Sequence, residues 1–387
     1  MHPRVDIVRP RPPSAAAATT GSHTSRPLAR TLLDLEKPMR LTTLVIALAA
    51  LAAGCVGEVG GPRKPHDTDP TDPAPTPDGG CAKVEKDVTI RAMADMQSLP
   101  RTGCYDIYGK LTLQGAAITT LLGLEGLNSV NELTLDHTGL TRIDSKRPIG
   151  IYGKLTVLGN SRLSDLKQLS FETAATGVMI DGNPVLTSLD PLVLAEPKLD
   201  EVDGVLEITG NPALPAISLP NLTKVTGLLN LTGNTAVKTI DVTKLATTGH
   251  VELADNPQLG SLTGFGATTI NGDFAIRNNA ALSSLGTMSA LYRVTGNLTI
   301  DNNTALGSLA AFTTSVKFVD KALTITNNTN LTDVGQLKHL QLVQAITISN
   351  NRNLVNCRAV EVDKCTQHPT GAVIANNGTT NCTPNCN

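Results

Sequence analysis

A motif of the form apolar-x-apolar-x-x-Asn-x-x-Leu returns through two thirds of this 387-residue chain. Its third residue falls at Leu113, Leu135, Val157, Ile180, Ile208, Leu231, Leu253, Ile276, Ile300, Ile325 and Ile348. The spacings are 22, 22, 23, 28, 23, 22, 23, 24, 25 and 23 residues. Two residues earlier the side chain is always apolar, from Leu111 and Leu133 through Phe274 and Leu298 to Ile346. Alternation at period two describes a strand with one face inward. Recurrence near 23 residues gives one such strand per coil, with neighbours stacked in parallel.

Three residues past the register position stands Asn, in nine coils of eleven: Asn160, Asn183, Asn211, Asn234, Asn256, Asn279, Asn303, Asn328 and Asn351. A chain that turns sharply after a strand must find partners for its backbone groups there. An Asn side chain supplies them from inside the bend, and stacked coils line the amides into a ladder. The first two coils carry Ala116 and Thr138 instead, so the ladder is expected to start at the third. Two apolar positions follow three residues apart, as in Leu163 and Leu166 or Leu282 and Leu285. A further apolar residue two before Gly announces the next strand, as in Val225 with Gly227. Stretches such as Gly286 to Arg293 leave room for about two helical turns at most, so an all-β coil is expected. Composition agrees: aromatics are 2% and Trp is absent, as suits a narrow interior filled by Leu, Ile and Val.

Segments such as Val294-Thr295-Gly296-Asn297-Leu298-Thr299-Ile300-Asp301-Asn302-Asn303 resemble the receptor L-domain family. These are leucine-rich β-helices of insulin- and epidermal-growth-factor-type receptors, and bacterial surface proteins carry similar repeats. The likeness covers residues 104–354 and departs from the usual leucine-rich repeat, in which Leu follows Asn after one residue rather than two. It implies a right-handed parallel β-helix of about eleven coils and extracellular recognition. Neither a catalytic residue nor a ligand is implied.

Ahead of the repeats, Met39-Arg40 precedes fourteen uncharged residues, Leu41 to Gly54, and then Cys55. That run is too short to span a bilayer and suits a signal peptide over 39–54. Leu51-Ala52-Ala53-Gly54-Cys55 resembles a bacterial lipobox, which implies lipidation of Cys55 as the mature N-terminus. Ala52 departs from the commoner Leu. The other reading is an ordinary secretory signal with a chance Cys. Residues 1–38 are Arg- and Pro-containing without pattern, and read as a start placed too early or a long leader. Val56 rather than Asp after the Cys implies, by resemblance to lipoproteins of diderm bacteria, the outer membrane, facing periplasm or exterior. Residues 55–80 are rich in Pro, Gly and Asp and read as an extended tether.

The remaining cysteines bracket the repeats. Cys81 and Cys104 precede the first coil, and Cys357, Cys365, Cys382 and Cys386 follow the last. A solenoid exposes its interior and strand edges at both ends and must cap them. Disulfides suit that task in an oxidising compartment. The expectation is an N-terminal cap over 81–104, a solenoid over 105–356 and a Cys-rich cap over 357–387. Cys81–Cys104 is the expected first bridge; four C-terminal cysteines allow three pairings, of which Cys357–Cys382 with Cys365–Cys386 is preferred. Cys357 occupies a Leu position and is expected to point inward. Four thiols also suit zinc, but the exported setting and the lack of a close CxxC pair favour bridges.

No catalytic signature is present, whether HExxH, GxSxG or a phosphate-binding loop, and the histidines are scattered. No cofactor and no metal site is expected. A net charge of −2 gives no footprint for nucleic acid. The outward positions of the repeated strand read Thr112, Thr134, Thr156, Met179, Glu207, Asn230, Glu252, Ala275, Thr299, Thr324 and Thr347. Threonine suits any exposed strand. The break from Met179 to Ala275 argues against an ice-binding ladder, and Thr112, Thr134, Thr156, Glu207, Asn230, Glu252, Thr299, Thr324 and Thr347 form the candidate binding face. The long coil between Ile180 and Ile208 should also protrude around Pro191 to Pro197. Three functions follow: a surface-anchored recognition or adhesion module for a protein or glycan, a structural envelope spacer, and, last, a polysaccharide-acting enzyme.

Overall fold

The computed structural model describes residues 80–172, 174–189, 199–312, 315–378 and 383–386. Cys55, the signal segment, the tether before residue 80, the Pro191–Pro197 loop and Cys382 lie outside the described residues. The described chain is a parallel β-solenoid of about twelve turns with little helix.

Each coil places its repeated strand on one broad side. Leu111, Leu133, Leu155 and Val178 are Cα partners in succession, and the register runs on through Leu206, Leu229, Val251, Phe274, Leu298, Leu323 and Ile346. These side chains point inward, and none is more than 3% exposed. Burial of each contributes about 1.5–3 kcal/mol, so one apolar spine runs through every turn. After the Asn corner the chain crosses a short side, which in three successive coils forms the strands Ala216–Ser218, Thr239–Val242 and Ser261–Phe265. It returns along a second side through Val202, Val225, Thr248, Ile270, Val294 and Val319, all fully buried. Long strands such as Tyr105–Gln114 and Phe318–Thr326 turn the corner unbroken, so the second and repeated sides form one 21-stranded sheet.

The stack is longer than the eleven coils read from the motif. Val88–Ile90 pairs in register with Leu111–Leu113, and Val373–Ala375 pairs with Thr347–Ser349. Both caps therefore carry a strand of the broad sheet. The N-terminal segment adds a 3-10 helix, Met93–Ser98, whose Met96 is buried over the open end. The C-terminal segment is not all β: an α-helix, Asn356–Cys365, packs Ala359 and Val362 against the last coils. It forms because the run from Asn356 to Cys365 holds no Gly or Pro and no further strand signal follows at once.

Cys81–Cys104 is bonded, as is Cys365–Cys386. Cys357 is also disulfide-bonded. It sits in the second residue of the helix and is only partly buried, because the helix begins where the earlier coils continue flat.

Candidate functional site

Two features of the coil hold the broad face rigid. The first is the Asn ladder. Asn160 Oδ1 accepts from the backbone N–H and the hydroxyl of Thr138, at 2.9 and 2.7 Å. Its own N–H donates to Asn183 Oδ1 at 3.0 Å, and the same step recurs through Asn211, Asn234, Asn256, Asn279, Asn303, Asn328 and Asn351. Each Nδ2 also donates to a backbone carbonyl, as Asn234 does to Ile208 at 2.7 Å. All nine side chains are fully buried. The ladder runs one step further than the motif, because Asn351 N–H donates to Asn377 Oδ1 at 3.1 Å.

The second feature went unread in the sequence. The residue before each ladder position adopts a left-handed backbone: Gly159, Gly182, Gly210 and Gly233, then Asp255, Asn278, Asn302, Asn327, Asn350 and Asn376. Only Gly, and next to it Asn or Asp, takes that conformation readily. The signal was visible as repeated Gly-Asn and Asn-Asn pairs. The asparagines also stack outside the coil, as in Asn278 Nδ2 to Asp255 Oδ1 at 2.8 Å and Asn302 Nδ2 to Asn278 Oδ1 at 3.0 Å.

On this scaffold the outward column of the broad sheet comes together as one row. Thr112, Thr134, Thr156, Met179 and Glu207 are successive Cα partners. Asn230, Glu252, Ala275, Thr299, Thr324 and Thr347 continue it. All are partly exposed except Ala275, which is 2% exposed and offers almost no side chain. With about 4.8 Å between strands the row is on the order of 50 Å long.

The ends and the centre differ chemically. Toward the N-terminus the row is flanked by Lys110, Glu132 and Lys154, at paired positions on successive coils. Asp136 there accepts from His137 at 2.6 Å and from Gln114 at 2.8 Å. The His137 bond, aided by Gln114 and opposed by burial, holds its carboxyl below the ordinary range. Toward the C-terminus the flanks are small and neutral, with Ala322, Ala345, Thr326 and Ser349. Between them the face is acidic. Glu252 pairs with Arg277 at 2.9 Å, and burial pushes its carboxyl up despite that partner. Asp273 accepts the Asn297 N–H at 2.7 Å, which lowers its carboxyl, and its other oxygen lies 3.7 Å from His250. Among the described residues Asp181 accepts a side-chain bond only from the Thr209 hydroxyl, at 2.6 Å, and Glu207 only from the Asn230 amide, at 3.4 Å.

Exposed aromatics add a feature at the edge. Tyr108 and Tyr152 are 43% and 48% exposed and stand directly after Ile107 and Ile151. Those two residues both align with Val130, so the rings stand two coils apart, about 10 Å, with Asn131 between. Lys83 Nζ lies 5.5 Å from the Tyr108 ring centre.

Among the described residues no group of His, Cys, Asp and Glu is arranged to hold a metal ion, and no helix is long and apolar enough to cross a membrane. A hollow of about 570 Å³ lies at the N-terminal end against Lys83, Lys86, Ser98 and Pro100, away from the broad face. Comparison with family models, curated proteins and solved structures finds no significant match.

Proposed function

We propose that this chain is a cell-envelope lipoprotein that presents its broad sheet as a rigid recognition surface for a protein or glycan. The observation that carries the reading is the change in the outward row. A face built only for spacing has no need of Met179, Glu207, Asn230 and Glu252 where threonine serves at both ends. The partly exposed row, held by a buried ladder, is pre-ordered, so little conformational entropy opposes binding. Its side chains make no nucleophile–base pair, and this favours binding over turnover. The likeness to receptor L-domain repeats and the lipobox-like Leu51–Cys55 support the envelope setting. In that setting Cys55 anchors the chain to the outer membrane, and residues 55–80 hold the solenoid off its surface.

Two measurements test this. Metabolic labelling with a fatty acid should mark the wild-type chain and not Cys55→Ala; an unlabelled wild type rejects the anchor. The purified full chain should bind an envelope or cell-surface component, and Glu207→Arg with Asn230→Arg should abolish capture. Failure of the wild type to retain any component favours a structural spacer.

A further inference from the structure

The centre of the broad face carries an apolar stripe that the spine does not use. Met179 lies in the outward row. Val205 and Leu228 stand one residue before the paired Leu206 and Leu229, and so point outward on the next two coils. Val205 is 40% exposed, and Met179 and Leu228 are partly exposed. Diagonal neighbours on adjacent strands lie within reach of one another, so the three make a continuous patch. Asp181 and Glu207 border it on the same coils, and neither meets a basic group among the described residues.

We propose that this patch docks a protein partner presenting arginine or lysine around an exposed aliphatic side chain; the inference rests on the recognition reading above. Charge complementarity selects the partner. Two carboxylates with only neutral donors, beside aliphatic surface, gain most from a cation whose stem covers the stripe. A neutral glycan would leave both carboxylates without a counter-charge. Its stacking would need rings, and Tyr108 and Tyr152 stand at the N-terminal edge instead.

The probe is a labelled eight-residue peptide alternating arginine with leucine, followed by anisotropy on the purified full-length chain. Asp181→Asn with Glu207→Gln should weaken binding at least about tenfold, as loss of close charge pairs does. Val205→Thr should weaken it about threefold, through lost apolar contact. Glu85→Gln, which removes one carboxylate at the exposed N-terminal end, should leave affinity unchanged. Thermal melts matching wild type exclude misfolding as the cause. An effect of the double variant no larger than that of Glu85→Gln overturns the proposal. Capture of an oligosaccharide or envelope component that the double variant retains also overturns it, while leaving the recognition reading intact.

Discussion

Asn234 illustrates how a single side chain closes a corner. It accepts the Asn211 N–H at 3.1 Å, donates to the Ile208 carbonyl at 2.7 Å and passes its own N–H to Asn256 at 2.9 Å. Asn234 is fully buried, so each group it serves would otherwise be buried without a partner. Asn234→Ala strands the Asn211 N–H and the Ile208 carbonyl and is expected to cost about 2–4 kcal/mol. Urea unfolding measures it, and a loss below about 0.5 kcal/mol would mean the ladder only fills space. The Asn positions were readable because this requirement repeats in every coil. The left-handed residue before each was missed because Gly in four coils and Asn or Asp in later ones share a backbone need and no side-chain type.

The first coil depends on a bridge as well as on packing. Among the described residues Val88–Ile90 has a strand partner on one side only, the segment Leu111–Leu113. Cys81–Cys104 closes a loop with a sequence separation of 23 over that edge. By loop-closure entropy such a crosslink stabilises by about 3 kcal/mol. Replacing both cysteines by alanine should speed hydrogen exchange at Val88, Thr89 and Ile90 while leaving Leu229 and Leu253 protected. Uniform loss across all coils would show that the cap is not a separate cooperative unit. The cysteine positions pointed to the caps, but the strands inside them did not stand out. Val88-Thr89-Ile90 is followed by Met93 and Met96 where the later coils carry Asn and Leu, so the repeat as read from the sequence began one coil late. The helix Asn356–Cys365 was missed for a related reason, since Leu354 and Cys357 mimic the repeat spacing.

Stability in such a stack is close to a sum over coils and their interfaces. Removing one whole coil, Leu229–His250, brings Val251 to the place that Leu229 held beside Leu206. Asn211 then meets Asn256 as it met Asn234. That deletion should leave a cooperative melt, with Tm lowered by no more than about 5 °C. Removing only Leu229–Thr239 reverses no register cleanly and should abolish the far-ultraviolet strand signal. Equal behaviour of the two deletions would contradict a coil-by-coil stack.

Periodicity alone established the parallel solenoid, the inward Leu, Ile and Val positions and the corner asparagines, because each is a local demand repeated along the chain. The outward row was also readable residue by residue, from Thr112 to Thr347. Its chemistry as a surface was not. Val205 and Leu228 share a strand position, but Met179 stands two residues further along its strand, so no single periodic position joins the three. They become one patch beside Asp181 and Glu207 only when successive coils align in register. The motif placed Ile208 after Ile180 across a 28-residue step, and the pairing bears that register out; which outward side chains touch across neighbouring strands is decided only by the stacked sheet.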